Sequence, residues 1–419
     1  MNDKASLGRW SIFRFRPYLL YFIGHTISML GTGMQFIATS WLAMELTGNS
    51  GAVAYVLIAT SLPGILLSPL IGVYIDRFDR KWIAVLMDVF RAAVLVGIPV
   101  LWWQGLLEPW HLYTASFLVS LGDEVYTPAA MSLIREVLPP KALLYANSTN
   151  TIAMQAGALV GAALGGVIIS LSSSVTVMLI NAGSFLISGI FIVRIRKGLV
   201  IPSKAGSTIK AGVKTYWSEI RAGLAYIQGR HRLVIFYAMI FFIRMSLYTI
   251  NVLLAPFAKD VLEVGSIGFG YIDACFAIGA VAGNLILPQI TQAKGTNFVM
   301  VLGMSGTALA IMLFGFSVNL GMGMFIYFIL GMFFQVGVLY LTRAQEETEL
   351  SYQGRVHSTF NTLFSILSLG IYLGMAFLMQ HYSFRLIYVV QGVVVAIAAI
   401  TAFRVLYSKP KGVQNNVSG

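Results

Sequence analysis

The chain has 419 residues, 58% of them hydrophobic and only 11% charged, with a mean hydropathy of +0.80. Ordinary soluble domains carry roughly 25% charged residues, so this composition excludes a water-covered globule and fits lipid as the solvent. The formal charge of +12 raises nucleic acid as a partner, a reading that the placement of the basic residues tests. A single cysteine, Cys275, excludes an internal disulfide, and the five histidines (His25, His111, His231, His357 and His381) lack ligand spacing, so no metal site is expected.

In chain order, the N-terminal segment carries its charges ahead of an apolar run that is too long for a signal-peptide core and has no small-residue cleavage site. That run is expected to stay as the first helix. A spanning helix needs about 20 mostly apolar residues. Such runs occur at 17–43, 51–74, 82–104, 110–134, 146–171 and 174–193, and again at 233–257, 267–291, 297–317, 320–341, 356–380 and 384–404. The longest polar stretch, 194–232, separates the two sets, and Pro202, Ser203, Lys204, Gly206 and Ser207 mark it as a linker. From Ser218 to Gln228 apolar residues recur at helical spacing, which predicts a helix on the membrane surface. The expected domains are a six-helix half at 1–193, the linker at 194–232, and a second six-helix half with a tail at 233–419.

Lys and Arg set orientation in membranes. Of the 28 present, 24 fall in the termini and in the segments on their side, only Lys259 and Arg385 fall on the other side, and Arg91 and Arg244 lie within apolar runs. Both termini are therefore expected in the cytoplasm of a cell whose inner (plasma) membrane holds the chain. The same split accounts for the net charge without nucleic acid. Two sets of six helices match transporters whose halves each contain inverted three-helix repeats, with substrate bound between the halves at mid-membrane.

The loop after the second run reads GVYIDRFDRK, Gly72 to Lys81, and fits Gly-x-x-x-Asp-Arg-x-x-Arg-Lys. It resembles motif A of the major facilitator superfamily. Gly72 would let a helix approach closely, Asp76 would meet the positive N-terminus of a neighbouring helix, and Arg77 and Arg80 would pair with carboxylates and latch the halves. The fifth run holds Gly157, Gly161, Gly165 and Gly166 in AGALVGAALGG, a smooth face for tight packing. It also resembles motif C of the drug:proton antiporters, with Ala162 where that motif has proline. The strings TPAAMSLIREVLPPKALLYANSTN (127–150), EIRAGLAYIQGRHRL (219–233) and QEETELSYQGRVHSTF (345–360) resemble the branch that includes macrolide-efflux proteins and the enterobactin exporter. The resemblance covers nearly the whole chain. It implies an all-α membrane protein with the major facilitator fold, about 12 transmembrane helices in two six-helix halves, working as a monomer.

Ionisable groups inside a bilayer cost roughly 2.5–3.5 kcal/mol each on insertion scales, so each is a functional candidate. Asp123 and Glu124 lie midway along the fourth run and point about 100° apart, so one is expected to face a cavity and the other a neighbouring helix. Either binds a proton or substrate, or both are structural contacts. Arg244, mid-way along the seventh run, neutralises one of them, binds an anionic substrate, or makes a structural pair. Asp273, in the eighth run, serves a gate or reaches the wet interface. Asp88 and Arg91, spaced i, i+3 near the cytoplasmic side, are expected to form a structural pair, within their helix or linked to motif A. Uncharged cavity candidates are His25, Gln35, Gln155, Asn251 and Gln335, and aromatic lining candidates include Tyr126, Phe242, Tyr248, Phe333 and Phe334.

Together these features point to a proton-driven exporter of an amphiphilic small molecule, a drug or a siderophore, working by alternating access and needing no cofactor beyond the proton gradient. Uptake of a nutrient or metal chelate, or lipid movement, by the same fold is the alternative. A membrane-embedded enzyme or an ATP-driven pump lacks its motifs: there is no paired-histidine metal motif, no Gly-x-Ser-x-Gly elbow and no phosphate loop.

Overall fold

A computed structural model describes residues 11–75, 78–139, 142–195 and 209–407. No strand occurs among them; the chain is a bundle of helices. The first group is α1 (Arg16–Thr47), α2 (Ala52–Ile75), α3 (Arg80–Trp103), α4 (Pro109–Val137), α5 (Leu143–Leu171) and α6 (Ser174–Val193). After α7 (Ile209–Ile227) come α8 (His231–Pro256), α9 (Gly265–Lys294), α10 (Thr296–Gly315), α11 (Leu320–Phe334), α12 (Val336–Glu346), α13 (Leu350–His381) and α14 (Phe384–Tyr407).

Local chemistry fixes several of these starts. The Asp79 side chain accepts from the backbone N–H of Lys81 at 2.9 Å and of Trp82 at 3.4 Å, capping α3. Ser173 accepts from Thr176 at the head of α6, and Asn319 from Met322 at the head of α11. Pro109 opens α4, where its missing N–H removes a donor that has no intrahelical acceptor anyway. There His111 Nδ1 accepts from the Glu108 N–H at 3.0 Å, which gives this histidine a capping role.

Among the described residues nine helical spans are long and apolar enough to cross a bilayer, α11 and α12 together forming one of them (Leu320–Glu346), with Ala52–Leu66 of α2 a shorter apolar stretch. The other two long helices, α1 and α4, have 32 and 29 residues but are more polar, carrying His25 and Gln35, and Asp123 and Glu124. Large exposed side chains such as Trp103, Leu285 and Phe377 form the lipid-facing outside. Within the first group α1 packs on α5 and α6, α3 on α4 and α6, and α2 on α4; within the second α10 packs on α14 and α11 on α9. The groups meet through α5 with α9, α2 with α13, and lesser contacts of α1 and α2 with α8 and of α1 with α9.

Two differences from the expected elements bear on function. The tenth run is not one helix: it breaks at Gln335 between α11 and α12. The surface helix starts earlier than its periodicity predicts, and α7 rests on α13 and α2. The linker residues Pro202 to Ser207 lie outside the described residues. α7 is fastened to the second group: Tyr226 stacks on Tyr352 at 4.3 Å, Arg230 pairs with Glu349 at 3.1 Å, and the Thr359 hydroxyl donates to the Ile220 carbonyl at 3.3 Å.

Candidate functional site

The bundle has two ends, one carrying the start of α1, the end of α14 and α7, the other carrying the α1–α2 and α8–α9 turns. At this second, distal end the groups are sealed together. Ser50 donates to Asp260 at 2.5 Å, and Ser266 donates to the Gly166 carbonyl at 3.2 Å. Trp41 and Phe36 pack on Phe269. Backbones touch here: a Cβ on Gly166 would lie 2.4 Å from the Ser266 carbonyl oxygen, and one on Gly270 2.4 Å from that of Ala162. The glycine face expected from the motif C resemblance thus divides. Gly157, Gly161 and Gly165 pack against Met29, Leu30, Gly33 and Met34 of α1 in their own group, whereas Gly166 meets α9 of the other. Toward the terminal end Thr151, Ile152, Met154 and Gln155 of α5 are exposed, so the seal does not continue along that helix.

Two cavities line this space at similar depth. One, of about 200 Å³, is walled by α1, α2 and α4, with Thr32, Gln35, Thr60, Ser120 and Asp123 among its lining residues. The other, of about 250 Å³, is walled by α8, α11, α12 and α13, and contains Arg244, Phe334, Gln335, Phe360 and Phe364. Besides α5 with α9, the groups touch through α1, α2, α8 and α13, and each cavity has two of these helices in its wall.

The centre of the first wall is a buried guanidinium. Arg91 on α3 pairs with Asp88 one turn away and with Asp123 on α4. Arg91 and Asp88 side chains are 1% and 0% exposed, whereas Asp123 is 40% exposed and lines the cavity. The rings of Tyr126 and Phe185 flank the guanidinium at 4.3 and 4.1 Å, a favourable placement for a cation over ring faces. Gly122 makes room for it, since a Cβ there would lie 2.6 Å from Arg91 Cγ. Glu124, the next residue after Asp123, turns to α2, where a Cβ on Gly64 would lie 2.8 Å from its carboxylate. The adjacent carboxylates thus separate as their helical spacing requires, one into the cavity and one against a helix.

Other expected residues fall in different places. The Gln35 side-chain oxygen accepts from Asn181 Nδ2, tying α1 to α6 at the cavity wall. Gln335, at the α11–α12 break, accepts from Asn284 at 3.1 Å and donates to the Gly331 carbonyl at 3.2 Å. His25 is buried and stacked on Tyr21, and its Nδ1 has no hydrogen-bond partner among the described residues. Asp273 and Asn251 are half-buried and line neither cavity. Arg244 pairs with neither Asp123 nor Glu124; Asp123 is held by Arg91 instead. Asp76 and Arg77 lie outside the described residues, and of Gly72 only the helical backbone is described. Arg80 pairs at 2.5 Å with Glu136 at the terminal end of α4, inside its own half, so this pair does not latch the halves as expected.

The sequence reading placed Asp88 and Arg91 in a local pair and missed their link to Asp123, which lies 32 residues away on the next helix. It also missed Asn181, Thr60, Ser120 and Phe360, whose signal was only that of polar or aromatic residues in otherwise apolar runs.

Among the described residues no group of three or more histidines, cysteines or carboxylates could hold a metal ion. The profile of the transmembrane secretion effector family matches residues 7–410. The chain belongs to this family of transporters. A relative in Bacillus subtilis strain 168, the uncharacterized MFS-type transporter YfiS, is 26% identical over 373 residues, 84% of this chain and 83% of its own. The multidrug efflux pump Tap of Mycobacterium tuberculosis strain H37Rv is 25% identical over 175 residues, covering 40% of this chain and 42% of Tap. Among solved structures the nucleoside transporter NupG superposes with a TM-score of 0.71 at 14% identity, covering 94% of this chain and all of NupG. A bacterial homologue of the lysosomal transporter Spinster, in an inward-facing and unoccupied conformation, superposes at 0.64 with 15% identity, covering 94% and 93% of the two chains. These likenesses establish the major facilitator fold and a transporter rather than an enzyme.

Proposed function

We propose that the protein is a proton-coupled exporter that moves an amphiphilic small molecule out of the cell by alternating access. Three features support this reading: the likeness to an efflux pump, the Gly-rich fifth helix, and a cavity divided between two half-walls. Basic residues concentrated on the terminal side put both termini in the cytoplasm of a plasma-membrane protein. The sealed distal end is then the external gate, and the arrangement is the inward-facing one, in which a substrate enters from the cytoplasm or the inner leaflet. Both cavity walls come from one chain, which supports the monomer as the working unit.

The observation that carries the coupling is Asp123: a mid-membrane carboxylate that reaches the cavity while held by a buried arginine. Protonation of Asp123 leaves Arg91 with Asp88 alone, which changes the charge of the first wall without exposing the guanidinium. A cationic or polar substrate near Thr60 and Ser120 then competes with the proton for the same carboxylate. External gate opening lets the proton in and the substrate out.

Inverted membrane vesicles test this. With an inward-acid gradient, accumulation of a lipophilic cation, a macrolide or a catecholate siderophore is expected to exceed that in vesicles without the protein, and to collapse when an uncoupler dissipates the gradient. Uptake insensitive to the gradient rules out proton coupling, and uptake favoured by the opposite gradient reverses the direction.

A further inference from the structure

Arg244 lies 13 residues into α8, about 20 Å from its terminal end at 1.5 Å per residue. Asp123 sits at comparable depth in the other half. A cation at this depth is costly unless a counter-ion or water reaches it. Arg91 meets that requirement with two carboxylates. Arg244 does not: no described carboxylate lies within ion-pair distance, and its side chain is exposed in the second cavity. That cavity is otherwise mainly apolar and aromatic, with Gln335 and Asn361 as its amide side chains. Tyr237 stacks on Phe360 at 3.5 Å with ring planes 6° apart, and Phe241 stacks on Phe364 at 6.4 Å. Of these amides Gln335, at the helix break, is held by Asn284.

We infer that the second-half cavity is a subsite for a carboxylate-type anion attached to an aromatic ring, with Arg244 as its counter-ion and specificity residue. A guanidinium presents a planar fork that matches a carboxylate through two N–H donors. The neighbouring rings supply an apolar bed about as wide as one aromatic group. Charge orients such a ligand. The opposite wall carries Asp88, Arg91, Asp123 and Glu124, one cation against three carboxylates, and repels an anion, so the anionic end goes to the second half and any neutral or cationic end to the first. The counter-charge that the protein withholds from Arg244 is the one the substrate brings. This inference names the substrate class of the transporter proposed above and rests on that reading.

Dansylglycine and dansylglycinamide form a matched pair, one an anion and the other its neutral amide, with the same fluorophore. Each is titrated against the intact protein in nanodiscs, with empty nanodiscs subtracted. Dansylglycine is expected to bind at least about tenfold more tightly than the amide, the factor that a charged hydrogen-bonded pair typically supplies. Arg244→Gln removes that preference by weakening dansylglycine far more than the amide, Arg244→Lys keeps part of it, and Phe364→Ala weakens both ligands alike. Equal binding of the two ligands, no saturable binding of dansylglycine, or an unchanged preference in Arg244→Gln overturns the inference. If Arg244→Gln fails to fold, the two ligands on the parent protein and on Arg244→Lys decide. Gradient-driven efflux in vesicles is a separate readout: its loss with the anion preference intact defeats the transport mechanism alone, and its presence without the preference defeats the subsite alone.

Discussion

Arg91 and Asp123 join α3 to α4 across the centre of the first half, one side chain 1% exposed and the other 40%. The pair therefore bridges the buried interior of the half and its cavity. Anything that changes the charge of Asp123 is felt at a guanidinium whose other neighbours are Asp88, the Met87 carbonyl and the rings of Tyr126 and Phe185.

Removing that guanidinium alone leaves Asp88 fully buried without its cation. Breaking a buried pair in this way costs about 3–5 kcal/mol. Arg91→Gln is expected to lower the thermal midpoint of the detergent-solubilised protein sharply, and the double variant Asp88→Asn/Arg91→Gln to recover much of the loss. Melting curves followed by fluorescence check this. Equal midpoints for the parent and Arg91→Gln would show that the pair carries no stability.

Orientation gives an independent test. Reporter fusions at Gly48 and Pro109 are expected outside the cell, and fusions at Phe78, Ser207 and the C-terminus inside. A cytoplasmic signal at Pro109 would invert the assignment of the gates and with it the direction of the open cavity.

Most of the helices were legible because a lipid-spanning segment announces itself by apolar length; the caps Asp79, Ser173 and Asn319 that fix their starts came only from the structure. The break at Gln335 was not legible: Gln335 and Gly337 interrupt the apolar run 320–341 too briefly to divide it by composition. Of the site, the separate directions of Asp123 and Glu124 followed from helical geometry. The partner of Asp123 did not, because a contact between α3 and α4 has no local signature. Asp88–Arg91 at i, i+3 was visible, but its third member was not. Arg244 was visible as a charge, whereas its lack of a described counter-ion required the positions of all the neighbouring helices.

The two roles of the α5 glycines can be separated. Gly166 meets the opposite half at Ser266, while Gly161 meets Leu30 and Gly33 of its own half. A side chain at Gly166 is incompatible with the closed distal end but not with a folded half. In a Cys275→Ser background, Gly166→Leu is expected to raise the labelling of a cysteine placed at Thr39 by a membrane-impermeant maleimide added outside, with little change in expression. Gly161→Leu is expected to reduce expression and thermal midpoint instead. Identical behaviour of the two variants would remove the distinction between a gate contact and a packing contact.

The coupling prediction turns on the same helix. Asp123 and Glu124 are neighbours in sequence, yet only Asp123 both lines the cavity and holds Arg91. Replacing it by its amide keeps the shape and a hydrogen-bonding oxygen for Arg91 but removes the charge that a proton would cancel. Asp123→Asn therefore mimics the protonated state permanently. Gradient-driven efflux is expected to fall at least about tenfold, the loss of a charge-assisted interaction worth roughly 1.5–3 kcal/mol, while downhill exchange of substrate across the membrane continues. Glu124→Gln changes a group packed against Gly64 and is expected to retain most of the driven efflux. Proton release measured on substrate addition to the solubilised protein should be present in the parent and in Glu124→Gln and absent in Asp123→Asn. Full driven efflux in Asp123→Asn would move the coupling site elsewhere, with Asp273 the next carboxylate to replace; loss of both efflux and exchange, with normal folding, would make Asp123 a substrate ligand and not a proton carrier.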